Sequence, residues 1–225
     1  MTLRPGDSGG ACGLESSAGF AHSPPRLMLL YRLLVTLGWP LAWLFFRPRI
    51  GGREHVWVQG GVVICPTHLS GFDTVAVAFA MAPRTGRNMG KNELFRRPLL
   101  GPFVRSLGAF PARGGDGRAG GVTGAADLAR RGAAVVIYPE GARRRGRERR
   151  PRTGAARVAL AAGVPLVPAA IRGTDGWRER RRWQIAFGSP IDLHDLAGRD
   201  ENEAAHEGTR RLWDSIKQLE AGLAD

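Results

Sequence analysis

Residues 62–81 read VVICPTHLSGFDTVAVAFAM, and the change of texture along these twenty positions decides the fold. Val62–Cys65 is a short continuous apolar run rich in β-branched residues, the pattern of a strand buried on both faces. Pro66–Phe72 holds Pro, Ser and Gly and reads as a loop. Asp73–Met81 opens on an acidic residue and continues with small and apolar ones, the pattern of a helix.

The same alternation continues downstream. Gly86–Gly90 is a candidate strand, Asn92–Leu107 a helix interrupted near Pro98 and Pro102, and Ala119–Arg131 a helix stopped by Gly132. Ala134–Tyr138 is a second buried strand, Gly154–Ala162 a helix ending at Gly163, and Val164–Ile171 a third strand. Trp183–Phe187 is predicted as a fourth strand and Glu201–Leu219 as a long C-terminal helix. Strands alternating with helices imply an α/β fold: one domain over residues 50–225, with a mixed, mostly parallel sheet flanked by helices.

Upstream, residues 27–46 read LMLLYRLLVTLGWPLAWLFF, with Arg32 as the only charge. Such a stretch is long enough to cross a bilayer. Arg32 within it, Gly38 and Pro40 in its middle, and Arg26, Arg47 and Arg49 at its two flanks argue against a simple span. Tyr31, Trp39 and Trp43 suit the headgroup level. The expectation for residues 26–49 is a membrane-interface helical hairpin broken at Gly38 and Pro40; a core helix pair of a soluble domain is the alternative. Residues 1–25, rich in Gly, Ser and Pro, are expected to be a flexible leader.

With 225 residues, 43% hydrophobic and 24% charged, the chain is neither a disordered tail protein nor a polytopic membrane protein. Its 33 Lys and Arg against 20 Asp and Glu give a net charge of +13, which calls for an anionic partner: nucleic acid, an anionic membrane or a phosphorylated small molecule. Cys12 and Cys65 have no pairing or zinc-ligand spacing, so a reducing compartment is expected, and nothing suggests a bound metal.

In α/β sheets chemistry collects at the carboxyl ends of strands. There, His68 and Asp73 stand five residues apart across a loop that opens a helix. Asp73 can fold back to accept an imidazole N–H, leaving the other ring nitrogen free as a base. The spacing equally suits an Asp73 that only caps its helix and a His68 on the loop surface. The second buried strand leads into Tyr138-Pro139-Glu140-Gly141-Ala142-Arg143, where Gly141 permits close approach, Glu140 offers an acceptor for hydroxyls and Arg143 a planar fork for phosphate. Seven arginines lie between positions 143 and 152, a run that is also common in solvated loops.

In this order, His68…Asp73, Gly108-Ala109-Phe110-Pro111-Ala112-Arg113, Tyr138–Arg143 and Val164-Pro165-Leu166-Val167-Pro168 resemble the H-x-x-x-x-D, G-x-x-F/I-x-x-R, F/Y-P-E-G-T-R and V-P-x-x-P blocks of the glycerolipid acyltransferases. The bacterial 1-acyl-glycerol-3-phosphate branch is the nearest likeness, over residues 27–190. The resemblance implies acyl transfer from a thioester, acyl-CoA or acyl carrier protein, to the hydroxyl of lysophosphatidate, giving phosphatidate at the cytoplasmic face of the cell membrane by a monotopic enzyme with no cofactor. It implies His68 as base, Asp73 as its partner, Arg143 and Arg113 as phosphate ligands with Lys91 a third, and Glu140 on a glycerol hydroxyl. A different lysolipid or an amino-acid-derived lipid is the alternative acceptor. Nucleic-acid binding, the competing class, has no signature beyond charge. Two departures stand out. Thr67 occupies the place of an Asn and Ala142 that of a Thr, which is expected to remove a loop-fixing amide and a hydroxyl contact.

Overall fold

A computed structural model of the chain describes Leu33, residues 36–38, Pro40 and residues 43–90, 92–98, 100–106, 108–111, 118–144, 146–176 and 182–223. The strands are β1 (Arg49–Gly51), β2 (Val62–Pro66), β3 (Gly86–Gly90), β4 (Phe110–Pro111), β5 (Ala134–Val136), β6 (Leu166–Arg172) and β7 (Gln184–Phe187). The helices are α1 (Asp73–Met81), α2 (Asn92–Phe95), α3 (Leu100–Ser106), α4 (Arg118–Arg130), α5 (Gly154–Ala162) and α6 (Glu201–Gly222). One sheet forms in the order β1-β7-β6-β2-β5-β3-β4. Among the described strand pairs only β6–β7 is antiparallel.

The strand that opened the reading lies near the middle of this sheet, between β6 and β5. All five of its residues are buried. Its alternation sorts them onto two cores: Val63 and Cys65 pack with Val135, Ala126, Val158 and Leu212 beneath α4, α5 and α6. Val62 and Ile64 pack with Ala76, Val77, Ala80, Met81 and Ile185 beneath α1. Burying a side chain such as Ile64 stabilises by about 1.5–3 kcal/mol, which is why the run is apolar at every position.

Several expected elements have different bounds. The helix expected over 92–107 is two short helices, Asn92–Phe95 and Leu100–Ser106, split ahead of Pro98 as a proline demands. The sheet begins at Arg49, because the Arg49–Gly51 backbone pairs in parallel with Gln184–Ala186. Phe46 stacks on Trp183 at 4.2 Å between ring centroids, and its carbonyl accepts from the Trp183 N–H, so the end of the N-terminal apolar stretch is fastened to the sheet edge. Gly38 and Pro40, the expected break, are both helical, and residues 39, 41 and 42 between and after them lie outside the described ones, as does the 1–25 leader. No helix among the described residues is long and apolar enough to cross a membrane.

Candidate active site

Three neighbouring strands, β6, β2 and β5, run parallel and end together, and their outgoing loops bring Thr174, His68 and Tyr138–Arg144 to one edge. At that edge His68 Nδ1 lies 2.8 Å from Asp73 Oδ2. The same oxygen accepts the backbone N–H groups of Leu69 at 2.7 Å and Ser70 at 2.8 Å. Asp73 Oδ1 accepts from the Thr174 hydroxyl. Asp73 is fully buried and acts throughout as an acceptor, so Nδ1 of His68 is the donating ring nitrogen of this pair. The His68 side chain retains 18% exposure, enough for a substrate to reach it.

The imidazole is held at its edge by Asp73 and on its face by an aromatic ring. The Tyr138 ring stacks on it at 4.2 Å and 29°. The Tyr138 hydroxyl sits 3.3 Å from Thr74 Oγ1, and burial pushes its acidity far below an ordinary phenol's, so it remains a neutral hydrogen-bonding group. The Ser70 hydroxyl donates to the Thr174 carbonyl at 2.9 Å and accepts the Phe72 N–H at 3.0 Å, which closes the loop over itself.

Glu140 requires a correction. The sequence suggested an acceptor for a substrate hydroxyl, but its carboxylate is 1% exposed and committed within the protein. Oε1 accepts the backbone N–H of His68 at 3.2 Å, and both oxygens face Arg144 Nε at 2.9 Å. Its chemistry is that of a support under His68. Thr67 also departs from expectation. Its buried hydroxyl accepts the Ile171 N–H at 2.9 Å, so the loop stays tied to β6 although the amide expected there is missing.

Gly141 has φ +69°, open to glycine and strained for other residues, and a Cβ there would come within 2.9 Å of Arg152 Nε. What approaches its bare Cα is thus the Arg152 guanidinium. Arg143 is exposed, and its Nη2 lies 3.8 Å from where a Gly71 Cβ would stand, alongside the His68–Asp73 loop. Among the described residues neither Arg143 nor Arg152 pairs with a carboxylate, in contrast to Arg144, Arg157, Arg210 and Arg211. Lys91 and Arg113 lie outside the described residues. Cys65 is fully buried, and desolvation raises its thiol well above the ordinary range, which removes it as a nucleophile.

Reasoning from sequence missed Thr174, Arg144 and Arg152. Thr174 follows β6 by two residues, and its position at a strand end was the one available signal; its contact with Asp73 spans 101 residues.

A buried carboxylate orienting a partly exposed histidine, on the strand-to-helix loop of an α/β sheet, is an arrangement that can serve base-assisted group transfer. The sequence profile of the acyltransferase family matches residues 47–172, more than half of the chain, and the chain belongs to that family. It is similar to the 1-acyl-sn-glycerol-3-phosphate acyltransferase of Bacillus subtilis (strain 168), with 28% identity over 179 residues, 78% of this chain and 89% of that protein. It is 30% identical over 175 residues to the protein of the same name from Salmonella typhimurium, covering 74% of this chain and 71% of that one. The fold is also that of the 1-acyl-sn-glycerophosphate acyltransferase PlsC of Thermotoga maritima, with a TM-score of 0.62 at 19% identity over 89% of this chain and 80% of that one.

Proposed function

We propose that this acyltransferase moves a fatty acyl group from a thioester, acyl-CoA or acyl carrier protein, to the free hydroxyl of lysophosphatidate, giving phosphatidate. The observation that carries the reading is the buried His68–Asp73 pair, which leaves Nε2 for the role of base, with Arg143 alongside its loop. The names of the Bacillus and Salmonella relatives support the acceptor. His68 Nε2 takes the hydroxyl proton as the oxygen attacks the thioester carbonyl carbon. The tetrahedral intermediate collapses by breaking the C–S bond, and the proton passes from the imidazolium to the departing thiolate. Ester and free thiol are the products, and no acyl-enzyme forms. Asp73 stabilises the imidazolium without itself becoming protonated.

Arg143 and Arg152 would grip the acceptor phosphate, each through a planar fork. Lys91 and Arg113 remain candidates for the same task by resemblance. The membrane reading rests on exposed apolar side chains. Leu37, Trp43, Leu44 and Phe45 are 44–64% exposed, and Phe72, beside Asp73, is 38% exposed. Such a surface favours insertion at one leaflet, with the arginine-rich flanks at anionic headgroups. The cytoplasmic leaflet, where thioester donors are made, is the side proposed.

A matrix of thioesters and lysolipids offered to the purified protein in detergent, scored by product mass, tests this. Phosphatidate as the main product is expected, and Arg143→Ala should raise the KM for lysophosphatidate while leaving that for the thioester unchanged. Preference for an acceptor lacking a phosphate would overturn the acceptor assignment.

A further inference from the structure

Arg144 is adjacent to Arg143 in sequence, but its surroundings are opposite. Its side chain is 14% exposed and lies between two carboxylates. Nε faces both oxygens of Glu140, and Nη1 donates to Glu220 Oε1 on the last turn of α6. Its guanidinium carbon stands 5.6 Å from the centroid of the Trp213 ring, also on α6. Lys217 pairs with the other Glu220 oxygen at 3.1 Å and holds that carboxylate in place. Burial opposes the charge on Arg144, but the Glu140 and Glu220 carboxylates more than offset it and raise its pKa above the ordinary value, so the guanidinium stays charged.

The backbone completes the circuit. The N–H of His68 donates to Glu140, and the carbonyl of His68 accepts the backbone N–H of Arg144 at 2.9 Å. Both peptide groups of the base are therefore fixed by a five-residue stretch, 140–144, and the Arg144 side chain ties that stretch to α6.

We propose that Arg144 is a positioning residue that transmits the docking of the C-terminal helix to the backbone of His68, by way of Glu140 on one side and Glu220 on the other. The inference rests on the reading of His68 as the base. Removing the Arg144 side chain leaves the imidazole, Asp73 and the backbone N–H on the His68 carbonyl in place, but takes away the anchor that ties Glu140, and through it the His68 N–H, to α6. A misplacement of about 1 Å at a reacting group costs on the order of 10²-fold in rate. Arg144→Ala should accordingly lower kcat by ~10–10²-fold with both KM values kept, and Arg144→Lys should recover part of the loss, since one ammonium cannot serve both carboxylates in a planar fork.

Arg144→Ala also strands Glu140 as a buried charge and can unfold the chain, so Glu220→Gln decides the matter. It leaves the Glu140–Arg144 contact and the Trp213 ring against the guanidinium intact, and removes the charge from the Glu220 link to α6. A fall in kcat of about threefold to tenfold, with KM and Tm held, supports the proposal. Asp214→Asn, which breaks an exposed Arg210 pair on the same helix, should leave kcat unchanged. Wild-type kcat in Glu220→Gln, or an equal loss in Asp214→Asn, overturns the proposal. His68→Ala run beside them separates the two readings: if it keeps turnover, the base assignment fails, whereas if it is inactive while Glu220→Gln is unaffected, only the role of Arg144 fails.

Discussion

The described residues include two histidine–aspartate pairs, and they differ in everything but their composition. His68 meets an Asp73 that is fully buried and receives three further donors, from Leu69, Ser70 and Thr174. His194 meets Asp192 two residues away on a loop that precedes α6, with side chains 76% and 73% exposed. The Asp192 carboxylate is held below its usual range, chiefly by the backbone N–H of His194 and then by its ring, yet water surrounds both partners. A surface pair of this kind is screened and adds little. Proximity of a histidine and a carboxylate is therefore cheap, and what distinguishes the first pair is a carboxylate that cannot turn away and an imidazole stacked on Tyr138.

That contrast can be broken at graded points. His68→Ala removes the base and should lower kcat by ~10²–10⁴-fold in a folded protein, read from steady-state turnover of lysophosphatidate. Asp73→Asn keeps the base but loses its orientation and charge, for a loss of about 10–10³-fold; a loss larger than that of His68→Ala would show Asp73 to be chiefly structural. Thr174→Val preserves shape and deletes the donor to Asp73 Oδ1, so kcat should fall roughly threefold to tenfold with KM unchanged, the scale of one hydrogen bond to a charged group. At the far end of the comparison, Asp192→Asn should change kcat by less than about twofold. A large loss there would mean that the exposed pair has a task of its own.

The central elements were legible in the sequence because each carries a strong local signal. Val62–Cys65, Asp73–Met81, Gly86–Gly90 and Gly154–Ala162 have apolar runs or caps that match the observed β2, α1, β3 and α5 to within a residue. β1 and β4 escaped notice, being three and two residues long and defined by their neighbours instead of their own pattern. The site divides the same way. His68 and Asp73 are close in sequence, so spacing raised the pair and the resemblance of the four blocks singled it out; Arg144 and Arg152 sat in a run whose members look alike, and only the fold distinguishes one that is buried between carboxylates from one that lies over Gly141. Glu140 was placed on the right loop and given the wrong partner, because no feature of Tyr-Pro-Glu-Gly reveals that the carboxylate turns inward.

The contacts around His68 join positions far apart in the chain: 72 residues separate His68 from Glu140, and 104 separate Ser70 from Thr174. Closing loops of that length costs entropy before any contact repays it, and parallel pairing of β6 with β2 needs both strands and the helices between them. Contacts of such long range predict that this edge forms late in folding. Pulse-labelling hydrogen exchange during refolding should show the Leu69 and Ser70 amides gaining protection after those of α5 and α6; earlier protection would place the edge in the folding nucleus. An acyltransferase assembled in this order cannot attack a thioester before its sheet is complete, so no half-folded intermediate consumes acyl donor.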